Sequence, residues 1–127
     1  MRRVVFDTSI WIEYFKSNPV FFTICQSYLD NASVFTLEII FAELMQGAKG
    51  QREVGIINGY FENLHKLDYE GLVYEAGLFS QNEKLVARGI GLIDAIIIYA
   101  TVINNLQLWT LDKKIGGYLD SRFIFVP

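Results

Sequence analysis

The chain has 127 residues and 14.6 kDa, 52% hydrophobic and 20% charged, which excludes intrinsic disorder and collagen-like chains and suits one domain, residues 1–127, with a core that needs no staple. A single cysteine, Cys25, and a single histidine, His65, exclude a disulfide scaffold, a Cys-based zinc site and a zinc-protease motif. A net charge of −3 and a pI of about 5.1 argue against a broad basic surface that wraps nucleic acid, though not against nucleic acid as a substrate.

The first predicted strand is Arg3 to Phe6, followed directly by a helical stretch, Ser9 to Phe15. Asn18 caps a second helix with Pro19 at its first position, and Val20, Phe21, Ile24, Tyr28 and Leu29 fall on one face of it. Asp30-Asn31 ends that helix, and Ser33 to Thr36 reads as the second strand. Glu38 to Gln46 is the next helix, closed by Gly47; a wetter one runs from Gln51 to Leu64, weakened by Gly55 and Gly59. Lys66 to Tyr69 reads as the third strand and Leu72 to Ala87 as a helix ending at Arg88-Gly89. Leu92 to Asn104 is a helix apolar on all sides, expected to be buried. Gln107 to Thr110 is the fourth strand, Lys113 to Leu119 a short helix, and Phe123 to Val126 the last strand.

This alternation predicts an α/β fold with a central parallel sheet flanked by helices. The longest apolar stretch, Leu92 to Ile103, is interrupted by Asp94 and falls short of the about 20 residues that span a membrane. Arg2 and Arg3 are not followed by a secretory apolar region. The expectation is a soluble, cytoplasmic protein without a membrane partner.

Four acidic residues stand apart from the rest. Asp7 follows the first strand and Asp112 the fourth, where ligands bind in open parallel sheets. Asp94 and Glu43 interrupt otherwise apolar helices with no basic residue within four positions. Each has a bland reading. Asp7 and Asp112 could cap the helices that follow, Asp94 could answer its helix dipole, and Glu43 could pair with a distant arginine. Four converging carboxylates repel one another, and a divalent cation such as Mg²⁺, which takes oxygen ligands, resolves that conflict. Such a site can activate water and stabilise the leaving oxygen of a phosphodiester.

Val4-Val5-Phe6-Asp7-Thr8-Ser9-Ile10-Trp11-Ile12 resembles the opening of a PIN-domain protein. Phe41-Ala42-Glu43-Leu44-Met45-Gln46-Gly47, Gly91-Leu92-Ile93-Asp94-Ala95 and Thr110-Leu111-Asp112 resemble the family's later blocks, in order. The small size is similar to that of the VapC toxins of type II toxin–antitoxin pairs. The resemblance implies a three-layer fold with a five-stranded parallel sheet and a Mg²⁺- or Mn²⁺-dependent endoribonuclease. It implies Asp7, Glu43, Asp94 and Asp112 as the acidic site, with Asp7 and Asp94 as metal ligands and Ser9 and Thr110 as supporting polar groups. It also implies a homodimer inhibited by a cognate antitoxin protein. One departure concerns the residues before Asp94, Gly91-Leu92-Ile93, where relatives often carry a polar residue that caps the helix.

On this reading an RNA phosphodiester is hydrolysed, and Lys49, Arg52, Lys113 and Lys114 are candidates to contact its phosphates. Tyr14 and Tyr60 read as packing residues rather than base-stacking ones. Two other readings stay open. A phospho-acceptor receiver domain would want an acidic pair after the first strand and a lysine after the last, and has neither here. A non-catalytic PIN-like RNA- or protein-binding module would be expected to lose one of the four acids, and all four are present.

Overall fold

Short β-branched and aromatic runs alternate with helical segments, and only a parallel arrangement buries them all. In the computed structural model, which describes residues 1–127, β1 (Val4–Phe6), β2 (Val34–Thr36), β3 (His65–Lys66) and β4 (Gln107–Trp109) form one parallel sheet in the order β3-β2-β1-β4. Val4 pairs with Val34 on one side and with Gln107 on the other. Val4, Val5 and Phe6 are all fully buried, which explains a continuous apolar run in place of an alternating one.

The connecting helices flank the sheet: α1 (Thr8–Phe15), α2 (Pro19–Asp30), α3 (Glu38–Gln46), α4 (Gln51–Asn63), α5 (Leu72–Glu83), α6 (Leu92–Ile103) and α7 (Lys113–Tyr118). Thirty buried hydrophobic residues form one core. At its centre Trp11 is fully buried and meets the rings of Phe6, Tyr14, Phe15, Phe41 and Tyr60, with centroids 5.1–6.0 Å away. The Tyr14 and Tyr60 hydroxyls lie 2.7 Å apart within this cluster. No helix is long and apolar enough to cross a membrane.

Three expectations need correction. The sheet has four strands, not five. Residues 121–123 are taken by a 3-10 turn capped by Asp120, so only a single parallel bridge, Leu108 to Ile124, and the bond from Phe125 N–H to Leu108 C=O (2.9 Å) remain of the last strand. The helix expected to reach Ala87 stops at Glu83, because Lys84 adopts the left-handed conformation and Leu85 N–H turns back to Ser80 C=O at 3.0 Å. No glycine marks that stop, so the sequence pattern reads through it. Finally, α6 is not buried all round: Ala95 to Ile98 and Ala100 are, but Leu92, Ile93 and Ile103 at its ends are exposed.

Candidate active site

The topology itself creates a crevice. From β1 the chain builds outward through β2 and β3, then returns to place β4 on the other side of β1. Between β1 and β4 the direction of winding reverses, and the carboxyl ends of two such strands diverge to leave a cleft. Asp7 stands at the end of β1, and its backbone N–H still pairs with Trp109 C=O at 3.1 Å. Thr110, Leu111 and Asp112 leave the end of β4 beside it.

A cavity of about 350 Å³ opens at this point, lined by Asp7, Thr8, Ser9, Glu43, Asp94, Ile97, Leu111 and Asp112. All four singled-out carboxylates therefore face one space. Asp7 is 6% exposed and caps α1: its Oδ1 accepts from Ile10 N–H at 3.2 Å and from the Ser9 hydroxyl at 2.5 Å. The Ser9 Oγ in turn accepts from Leu111 N–H at 3.4 Å, and Thr110 Oγ1 accepts from Asp112 N–H at 3.0 Å. Ser9 thus ties the loop after β4 to the start of α1, and Thr110 braces that loop from within. Glu43, half-buried on α3, accepts from Thr8 Oγ1 at 2.6 Å. Thr8 was not singled out from the sequence; its place next to Asp7 was the available signal, since one turn of helix start can hold two acids with adjacent hydroxyls.

The capping readings of Asp7 and Asp112 are also true. Asp112 Oδ1 accepts from Lys114 N–H at 2.7 Å and from Ile115 N–H at 3.3 Å. In each residue the capping bonds fall on Oδ1. Neither ion pair in the protein, Lys16 with Glu13 or Arg122 with Asp120, involves any of the four. The helix bearing Asp94 begins without a side-chain cap at Gly91, as its departure from the family pattern suggested.

Burial raises the Asp7 carboxyl above its ordinary value, against the lowering effect of its bonds to Ser9, Thr110 and Ile10. Asp94 is also raised, first by burial and then by the charges of Asp112, Asp7 and Glu43, with Lys114 acting the other way. Asp94 thus feels the other three carboxylates. Yet no three His, Cys, Asp or Glu side chains close on one point as a ready ligand set. The carboxylates ring the cavity instead.

The donor set suits a hard divalent cation: the cavity is lined by four carboxylates, and Asp94 receives no hydrogen bond from the protein. The basic candidates separate. Lys49 and Arg52, with Lys16, line a neighbouring cavity of about 540 Å³ that shares Glu43 with the first and whose wall also includes Glu53, Ile12, Phe15 and Ile56. Lys113 and Lys114 sit on α7, immediately after Asp112.

A family model described as the PIN domain matches residues 4–117. No curated protein matches the sequence. Among solved structures, the chain is similar to one in the crystal structure of VapBC2 from Rickettsia felis bound to a DNA fragment from their promoter. It has 16% identity and a TM-score of 0.71, over 95% of this chain and 95% of that one. At that identity the likeness is one of fold.

Proposed function

The chain belongs to the PIN-domain family, whose members are generally nucleases, and from that premise we propose that it is a divalent-metal-dependent endoribonuclease, the toxin of a VapBC-type pair. The observation that carries this reading is the convergence of Asp7, Glu43, Asp94 and Asp112 on one cavity at the reversal point of a parallel sheet. The overall likeness to the VapBC2 structure supports the assignment to a toxin–antitoxin pair, as does the small size. Further parts of the proposal are a cytoplasmic setting, a homodimer and inhibition by a cognate antitoxin.

Asp7 and Asp94 would hold Mg²⁺ or Mn²⁺. The bound cation supplies Lewis acidity toward the scissile phosphate and lowers the pKa of water. The chain's own residues do the positioning. Ser9 and Ile10 N–H fix the Asp7 carboxylate, so it meets the cavity with one preset oxygen. Thr8 holds Glu43 Oε1, leaving Oε2 to accept a proton from the attacking water. Asp112 spends Oδ1 on its helix cap, so its share in the site falls to Oδ2. Lys49, Arg52, Lys113 and Lys114 contact flanking phosphates.

Cleavage of a total-RNA pool tests the reading, comparing the wild type and Asp7→Asn with Mg²⁺, with Mn²⁺ and with EDTA. Discrete cuts by the wild type alone, abolished by EDTA, are expected. Cutting that survives EDTA, or that Asp7→Asn performs equally well, overturns it. If the wild type binds Mn²⁺ in calorimetry but cuts nothing in the pool or in candidate transfer, ribosomal and messenger RNAs, the protein is a binding module.

A further inference from the structure

Large exposed hydrophobic side chains are concentrated on one face, made by α5, the turn before it and the first turn of α6. Tyr69, Val73, Tyr74, Leu78, Leu92 and Ile93 lie there, with Tyr74 85% exposed, Leu78 58% and Val73 57%. They belong to one patch. α5 and α6 pack along each other, with the Phe79 and Tyr99 ring centroids 5.3 Å apart and Tyr99 donating to Glu75 Oε1 at 2.8 Å. Ile96, one turn on from Leu92 and Ile93, lines one cavity with Tyr69 and Val73. With a fully exposed side chain of this kind offering roughly 150–250 Å², the six present on the order of 600 Å² of apolar surface. That reaches the upper end of the largest patch on a typical monomer, ~300–600 Å², and most of the ~800 Å² that each partner brings to a standard interface.

Two further features identify what covers this face. Gly77 sits in the middle of α5, between Val73-Tyr74 and Leu78, with no positive φ, and a Cβ built there meets nothing within 4 Å. Neither backbone geometry nor crowding inside the chain requires glycine, and inside a helix it is less stable than alanine. What it permits is the close approach of another backbone. The stripe is also polarised. Glu70 stands seven positions before Gly77 and Lys84 seven after, all three on a heptad spacing, and Glu75 and Arg88 extend the same polarity. None of these charges enters an ion pair within the chain. A second copy turned end for end about Gly77 brings the acidic end of one α5 to the basic end of the other, twice over, as twofold symmetry demands.

We propose that this face is the contact between two copies of the chain, with α5 running antiparallel to α5 across a twofold axis at Gly77 and Tyr74 as its central anchor. The assignment rests on the homodimer reading and gives that homodimer a face, a direction and a register. A parallel pairing would set like charges together at both ends. An antiparallel one satisfies both ends, buries the apolar stripe and uses the gap that Gly77 leaves.

Sedimentation equilibrium of the full chain across a concentration series tests this. The wild type should be a dimer. Tyr74→Glu should raise the dimer Kd at least about a hundredfold, because a buried aromatic anchor is worth about thirtyfold and the twofold counts it twice. Glu70→Lys and Lys84→Glu should each weaken the dimer about tenfold, and the double variant Glu70→Lys/Lys84→Glu should return to within about threefold of the wild type. Gly77→Ala should weaken the dimer about tenfold yet melt no lower than the wild type at dilutions where both are monomers. Glu70, Tyr74 and Lys84 are exposed, so their variants are expected to fold, as circular-dichroism melts will show. Rescue in the double variant cannot come from a merely misfolded chain. A dimer that every variant leaves intact overturns the face and spares the homodimer; a wild type that stays monomeric overturns both. A double charge variant no tighter than either single one overturns the antiparallel register.

Discussion

Replacing Asp7 separates its structural role from its chemical one, and the two substitutions Asp7→Asn and Asp7→Ala do so with opposite effects on stability. Asparagine keeps an Oδ1 that can accept from Ile10 N–H and Ser9 as the Asp7 Oδ1 does. It also removes a charge that burial disfavours. Alanine loses the helix cap, about 1 kcal/mol, and leaves the Ser9 hydroxyl without its acceptor, about 1 kcal/mol more. At about 3–5 °C per kcal/mol for a chain of this size, Asp7→Ala should melt roughly 6–10 °C below Asp7→Asn. Without metal, Asp7→Asn should melt at or above the wild type at neutral pH. The pH dependence has a definite sign. A carboxyl raised in the fold above its ordinary 3.8 favours folding below that value and loses the benefit as pH rises through its folded value. The advantage of Asp7→Asn over the wild type is therefore widest at neutral pH and closes in acid. Adding Mn²⁺ at 100 times its Kd should stabilise the wild type by about 2.7 kcal/mol, roughly 8–13 °C, and leave both variants unmoved. Thermal melts followed by circular dichroism, in EDTA and in Mn²⁺, read every one of these shifts. An Asp7→Asn protein that melts with Asp7→Ala in EDTA refutes the burial argument, and one that keeps the Mn²⁺ shift refutes the ligand assignment.

Asp94→Asn should raise the melting temperature of the metal-free protein at neutral pH, because it removes a charge that burial disfavours and that Asp112, Asp7 and Glu43 repel, and should abolish Mn²⁺ binding; a melting temperature lower than the wild type's counts against a buried, crowded carboxylate. Thr36 is fully buried and its Oγ1 has no hydrogen-bond partner, so Thr36→Val should stabilise by about 1 kcal/mol in a urea titration, and a loss of that size would show that the hydroxyl is satisfied. Mn²⁺ affinity should weaken on acidification beginning above pH 3.8, since both raised carboxyls must be ionised to bind; calorimetry showing undiminished affinity down to that pH would contradict it. Trp11→Ala empties the centre of the aromatic cluster and should cost about 3–5 kcal/mol, read as a lowered denaturant midpoint; a cost under 1 kcal/mol would mean the cluster is not the keystone of the core.

Much of this protein was legible along the chain because the relevant signals are local. The run Val4-Val5-Phe6 declares a strand buried on both faces, Asn18-Pro19 declares a helix start, and Glu43 in an apolar helix declares a charge that needs a reason. The resemblance to the PIN family rested on the same short blocks. Boundaries set by backbone geometry without a marker residue were not legible. The left-handed stop at Lys84 carries no glycine, and the turn at residues 121–123 consumes a strand whose composition is ordinary.

What only the tertiary structure decided concerns residues far apart in sequence. That Asp7 and Asp112 face the same cavity depends on β4 lying beside β1 rather than beyond β3, a pairing no local pattern encodes. Thr8 bonding Glu43, Ser9 reaching the loop after β4, and Lys114 lying over Gly89 are likewise contacts across 35, 102 and 25 positions. Residue types and their periodicity dictate which elements form, because those depend on neighbouring dihedrals and on one apolar face. Which side chains then meet depends on strand order, the product of burying every such face at once.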